Sequence, residues 1–200
     1  MSSAFDPNIQ NYSTEAKIVA TLERISEAFR VLLWNQSKEH GLSPLQIQLL
    51  IFLHYHSLEK STVSYLAKEF NVAKPTISDT VKILERKELI SKEHSPVDTR
   101  SFVIQLTVKG SQLAAQTSSF SQPVQQPLDQ LTSQQKEQLL DSLLTVIQQL
   151  NAAGIITVQR MCFSCAHYQK QPDGKHYCNL LQKLLAQSEL RVDCEEHQAA

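Results

Sequence analysis

The sequence predicts a mostly α-helical fold with one small β-hairpin. Glycine is scarce, at four of 200 residues, and Leu, Gln and Ala are frequent, a composition that favours helix. Several stretches place apolar residues at i, i+3, i+4 and i+7, the spacing of one buried helical face. One short run, Phe102-Val103-Ile104-Gln105-Leu106, alternates instead, with Phe102, Ile104 and Leu106 on one side.

Residues 1–12 are polar, carry Pro7 and read as a mobile N-terminal arm. Residues 13–42 read as one long helix, opened by Ser13 or Thr14 and ending near His40 with Gly41 just beyond. Its Ile18, Leu22, Ile25, Phe29 and Leu32 form a seam spaced 4, 3, 4, 3, which suits a helical partner. An intrachain core stripe is the other reading of the same spacing.

Residues 43–110 begin with Ser43-Pro44-Leu45-Gln46. Here capping-box spacing coincides with proline in a first turn. The helix that follows is apolar nearly all round and so belongs in the centre of a domain. His54 and His56 at its end read as ordinary helix-end residues. Val63, Leu66, Ala67 and Phe70 mark a short helix, capped by Thr62 or Ser61. Asn71-Val72-Ala73 makes a turn, and a second helix starts at Lys74-Pro75. That helix buries Ile77, Val81 and Leu84 and points Lys74, Thr76, Ser78, Asp79, Thr80 and Lys82 outward. Short hydroxyls and lysines suit phosphates and base edges. Leu89-Ile90 leads into a strand, Ser95–Arg100 form a loop, and 102–106 return. The pattern is a helix-turn-helix followed by a wing.

The order of these elements, the wing residues Asp98-Thr99-Arg100-Ser101 and the exit Leu106-Thr107-Val108-Lys109-Gly110 resemble the MarR family of bacterial transcription regulators. The likeness spans roughly residues 13 to 150, judged on the usual lengths of such elements. It implies a winged-helix homodimer on double-stranded DNA that binds a near-palindromic operator. By the family pattern, Thr76, Ser78, Thr80 and Lys82 read or position in the major groove, with Lys74 at its entrance. Asp98 braces Arg100, and Arg100 reaches the minor groove. Family members often bind a small-molecule effector, but no residue here declares such a pocket. Two departures are visible. Ala73 stands where the family often has a serine cap, and Lys92-Glu93 replaces a more basic stretch before the wing.

Residues 111–154 carry the remaining helices. Val108–Phe120 reads as helix, Pro123 and Pro127 break it, and Thr132-Ser133-Gln134-Gln135 repeats the capping-box spacing. Leu139, Leu140, Leu143, Leu144, Ile147 and Leu150 then form a wide apolar face. With the residue 13–42 helix, this segment is expected to make a dimerisation layer.

Residues 155–200 lie outside the resemblance. Cys162 and Cys165 form a C-x2-C, Cys178 follows after twelve residues and Cys194 after fifteen more, so all four cysteines fall within 33 residues. A C-x2-C turn lets two thiolates reach one ion, and two more complete a tetrahedron. The segment has too few apolar residues for a core of its own, so a metal staple is physically reasonable. Zinc is the first expectation and an iron–sulfur cluster the alternative, since both accept four thiolates. His197 could replace Cys194 as a ligand, while His167 and His176 lie near the ligand cysteines. A redox dithiol at Cys162 and Cys165 is a further reading, as is a set of unrelated thiols. The metal site would be structural or sensory.

The formal net charge is −1, so the whole chain is no polycation. Residues 63–110 carry eight basic and six acidic residues, a mild excess that leaves specific binding to dimerisation and placement. No apolar run is long enough to cross a membrane. The first residues lack the charged start and apolar core of a secretory signal, so a cytoplasmic location is expected. No phosphate loop, Ser/His/Asp set or paired carboxylates points to an enzyme. Two rivals to the regulator remain: a winged helix used for protein contacts, and a thiol oxidoreductase built on Cys162 and Cys165.

Overall fold

The computed structural model describes residues 3–94 and 102–200. Its first helix, α1 (Pro7–Tyr12), is capped by Asp6, whose carboxylate accepts from Asn8 N at 2.9 Å. Where a mobile arm was expected, the chain is therefore already helical. Ser13 then caps α2 (Thr14–His40) by accepting from Ala16 N, and Gly41 ends it in the left-handed region at φ 60°. Of the α2 seam, Leu22 and Leu32 are half-buried, while Ile18, Ile25 and Phe29 remain exposed. The stripe is not absorbed by this chain's own core.

The centre is α3 (Pro44–Tyr55). Ser43 Oγ accepts from Gln46 N at 3.2 Å and Gln46 Oε1 accepts from Ser43 N at 3.0 Å, so both halves of the capping box form. Ile47, Leu49 and Leu50 are fully buried. They pack with Leu66 of α4 (Val63–Glu69), Ile77 and Leu84 of α5 (Lys74–Arg86) and Ile104. Thr62 is the residue that caps α4, accepting from Tyr65 N at 3.2 Å, while Ser61 is buried. The α4–α5 turn uses Asn71 at φ 50°, a conformation that asparagine tolerates better than most residues.

Strands β1 (Ile90–His94) and β2 (Phe102–Leu106) pair antiparallel, with Ile90 opposite Leu106 and His94 opposite Phe102. Ile104 N also donates to Ser61 O at 2.9 Å, which ties the hairpin to the start of the helix-turn-helix. The exit from β2 explains the L-T-x-x-G pattern. Thr107 caps α6 (Val108–Thr117) by accepting from Gly110 N at 3.0 Å. A Cβ on Gly110 would fall 1.8 Å from Leu89 O, so only glycine fits that helix against the strand.

The helix expected to reach Phe120 ends at Thr117. A 3-10 turn, the short α7 (Gln122–Gln125) and a second 3-10 turn follow, consistent with Pro123 and Pro127 limiting regular helix. Thr132 and Gln135 form the second capping box, at the start of α8 (Ser133–Ala152). Only Leu144 of α8 is fully buried, and its cover is the chain's own C-terminal segment. There β3 (Tyr168–Lys170), β4 (His176–Cys178) and β5 (Lys183–Leu185) make a small antiparallel sheet. Met161, Leu185 and Leu190 close with Leu144 into a second core. Part of the apolar face expected for dimerisation is therefore used within one chain. No helix among the described residues is long and apolar enough to cross a membrane.

Candidate functional site: nucleic-acid interface and cysteine pocket

The candidate nucleic-acid interface is α5. Ala73 occupies its N-cap without any side-chain hydrogen bond, and Pro75 lies in the first turn. Ile77, Val81 and Leu84 are buried, as the spacing requires. Lys74, Thr76, Asp79 and Lys82 are exposed, and Ser78 is half-buried. Lys82 Nζ sits 3.1 Å from Asp79 Oδ1, an exposed pair one turn apart that costs little to open. Thr80 corrects the expectation. It is buried, and its hydroxyl donates to Thr76 O at 2.8 Å. Three residues after Ile77, it lies on the core stripe and is not aimed at a groove. Asp98 and Arg100 lie outside the described residues. Beside the wing, Lys92 pairs with Glu85 at 2.6 Å and Gln105 donates to Glu93 at 2.7 Å. The Lys92-Glu93 departure is thus occupied by contacts within the protein.

A residue the sequence did not announce joins this head to the tail. Arg160, 9% exposed, directs Nη1 to Glu69 Oε2 at 2.6 Å and Nη2 to Glu69 Oε1 at 3.1 Å. Its Nε reaches Asp193 Oδ1 at 2.6 Å, and Nη2 reaches Asp193 Oδ2 at 2.9 Å. Tyr65 Oη accepts from Nη1 at 3.0 Å. The hydrogen bonds to Asp193 chiefly hold the guanidinium above its ordinary value, against the opposing effect of burial, with Glu69 adding to the rise. The same contact with Arg160 holds the Asp193 carboxyl well below the usual carboxylate range. His56 completes the cluster, stacked on Phe52 at 3.9 Å between centroids, with Nε2 2.9 Å from Asp193 Oδ2. Thr157 adds a bond to Lys68 O at 3.0 Å. Glu69, Tyr65 and Lys68 belong to α4, so the tail is bolted to the first helix of the helix-turn-helix. No periodicity marks such a pair. The only signal was an arginine two residues before the first cysteine and an aspartate just before the last.

The four cysteines are free thiols, each half-buried. Cys162 opens a 3-10 turn, Cys165 follows it, Cys178 ends β4, and Cys194 is placed by Cys194 N donating to Arg160 O at 3.0 Å. All four line one cavity of about 40 Å³, together with His167, Tyr168, Leu180, Leu181, Leu185 and Arg191 among others. Arg191 N donates to Cys162 Sγ at 3.3 Å and Arg191 Nη1 to Cys194 Sγ at 3.4 Å. Burial pushes the Cys162 thiol up, and the neighbouring sulfurs add to the rise. His167 Nε2 is buried with no hydrogen-bond partner. His197, the alternative ligand, turns elsewhere, with Nε2 3.0 Å from Ser164 Oγ and 2.9 Å from Ser164 O. His176 is held by Tyr168 at 2.6 Å and Gln187 at 3.0 Å. Among the described residues, no three His, Cys, Asp or Glu side chains are placed to hold a single ion.

Comparison with known proteins addresses the first of these two sites. Residues 40–101 match the model of the MarR family. The Bacillus subtilis protein YhbI, an uncharacterised HTH-type transcriptional regulator, is 27% identical over 136 residues, covering 64% of this chain and 88% of YhbI. Staphylococcus aureus MepR, solved in complex with DNA, superposes with a TM-score of 0.57 at 28% identity, over 66% of this chain and 97% of MepR. MepR in its DNA-binding conformation gives 0.59 at 26% identity, over 66% and 98%. The match stops short of the cysteines. Geometry and likeness agree on a winged-helix fold similar to that of MarR-family transcription regulators such as DNA-bound MepR, with the cysteine segment outside the family match.

Proposed function

We propose that the chain acts in the cytoplasm as a homodimer on a near-palindromic operator, with α5 of each copy in the major groove. The observation that carries this is the division of α5. Ile77, Val81 and Leu84 anchor it, while Lys74, Thr76 and Lys82 stand exposed with Ser78 beside them. The exposed Ile18, Ile25 and Phe29 of α2 support pairing of two copies, since an apolar seam of that spacing is completed by a second helix. Asp98 and Arg100 are assigned to the minor-groove contact by the family pattern. Arg100→Ala is expected to weaken operator binding by about 1–3 kcal/mol.

The experiment is selection of duplexes from a random pool, followed by anisotropy titration at fixed salt. A palindromic consensus bound by two chains supports the proposal. Equal affinity for all duplexes overturns it and favours a protein-interaction role instead. We further propose that the cysteine segment is a metal centre that fixes the tail, and through Arg160 the helix-turn-helix. Four thiols around one cavity support this reading. Two reading heads must sit about 34 Å apart to meet successive grooves, so a shift of the tail would be felt as lost affinity. Equal operator affinity with and without metal would leave the centre a purely structural role.

A further inference from the structure

We propose that the four-cysteine cavity takes an iron–sulfur cluster, ligated by the thiolates of Cys162, Cys165, Cys178 and Cys194, and not a single zinc ion. This rests on reading the tail as a metal centre and names what fills it. A tetrahedral zinc draws four sulfurs to about 2.3 Å from one point, which leaves no space between them. Here the four thiols line, with eight other residues, a pocket of about 40 Å³, whereas one water needs only about 10–15 Å³ by that measure. No three of the described ligand-type side chains converge as a single ion requires. In a cluster, each iron takes its own thiolates and bridging sulfides fill the middle, so ligands can stand apart and still close one site.

The walls suit such a guest. Leu185 is buried and Tyr168 half-buried on the pocket wall, which limits water on that side, while the exposed Leu180 and Leu181 line the rest with Glu189 and Glu196. A cluster on four thiolates carries negative charge, and Arg191 brings a backbone N–H to Cys162 and a guanidinium to Cys194. Hydrogen bonds to ligand sulfur are among the features that set a cluster's potential. His167 Nε2, buried on the same wall without a partner, gains an acceptor if it carries its proton toward a bridging sulfide. On insertion, each of the four thiols loses a proton to solvent as its Fe–S bond forms. The leaving group at each iron is a thiolate of the cluster donor, which takes up a proton from solvent, and no electron is transferred.

The test is elemental analysis and an absorption spectrum of the full chain, expressed with iron available and purified without air. The expected result is about two to four irons per chain with matching sulfide, broad visible absorption and little zinc. Cys178→Ser should lose most of the iron, whereas His197→Ala, altered outside the cavity wall, should keep it. Zinc near one per chain without sulfide overturns the cluster and leaves the metal centre standing. Protein that holds neither metal overturns both. The wild-type measurement decides even if Cys178→Ser fails to fold.

Discussion

Arg160 grips both carboxylate oxygens of Glu69, at 2.6 Å and 3.1 Å, across 91 residues of sequence. A bidentate pair of a buried guanidinium and a half-buried carboxylate is costly to break from one side, because the partner charge remains partly desolvated. Arg160→Ala is therefore expected to lower stability by about 3–5 kcal/mol, measured by denaturant unfolding. Limited proteolysis should show the segment beyond Ala152 opening first. A loss below about 1 kcal/mol would mean that the tail docks without this contact.

The same cluster sets a pH dependence. The Asp193 carboxyl is held below its ordinary value, chiefly by its hydrogen bonds from Arg160, against burial. A depressed folded-state pKa contributes stability that is complete above the unfolded value of about 3.9 and declines as pH falls below it. The stability difference between wild type and Asp193→Asn should therefore be flat from pH 7 to about pH 5 and shrink below about pH 4. A difference that grows with acid would contradict the assignment.

On α5, buried and exposed hydroxyls should separate in binding assays. Thr80→Val replaces a buried hydroxyl that serves only Thr76 O, so operator affinity should stay within about 0.5 kcal/mol. Thr76→Ala removes an exposed hydroxyl and should cost roughly 1 kcal/mol. Lys74→Ala should weaken all duplexes alike and reduce the salt slope by about 1. Titrations at several salt concentrations check all three.

Gly110 is a test of packing alone. Its missing Cβ leaves room for Leu89 O, which a methyl would meet at 1.8 Å. Backbone cannot swing aside as a side-chain tip can, so Gly110→Ala should cost about 3 kcal/mol through displacement of α6 from the hairpin. Thermal unfolding measures it directly. Gly174→Ala, where nothing lies within 4 Å of the added carbon, carries only the strain of its φ of 84° and should cost less.

The elements legible in the sequence were those whose signals are local. Ser13, Ser43, Thr62 and Thr132 each cap the helix their position suggested, and Gly41 ends α2. The α5 face was legible too, except at Thr80, where a short hydroxyl on the core stripe was read as polar and hence outward. The four cysteines grouped by their spacing do line one cavity, although no three ligand-type side chains among the described residues are placed to hold a single ion. What escaped was non-local. The Arg160–Glu69 and Arg160–Asp193 pairs span 91 and 33 residues and leave no period to read. The helical turn at Pro7–Tyr12 was hidden by polarity, although Asp6 before Pro7 is itself a capping signal. His197, which spacing offers only as a substitute for Cys194, has its ring against Ser164.

Leu144 lies at 2% exposure beneath Met161, Leu185 and Leu190. Trimming the protein just after α8 would strip that lid. The shortened molecule would present Leu140, Leu144 and Ile147 to water as a fresh sticky ridge. A researcher wanting a minimal reagent should expect it to clump, and would do better to keep the appendage than to discard it.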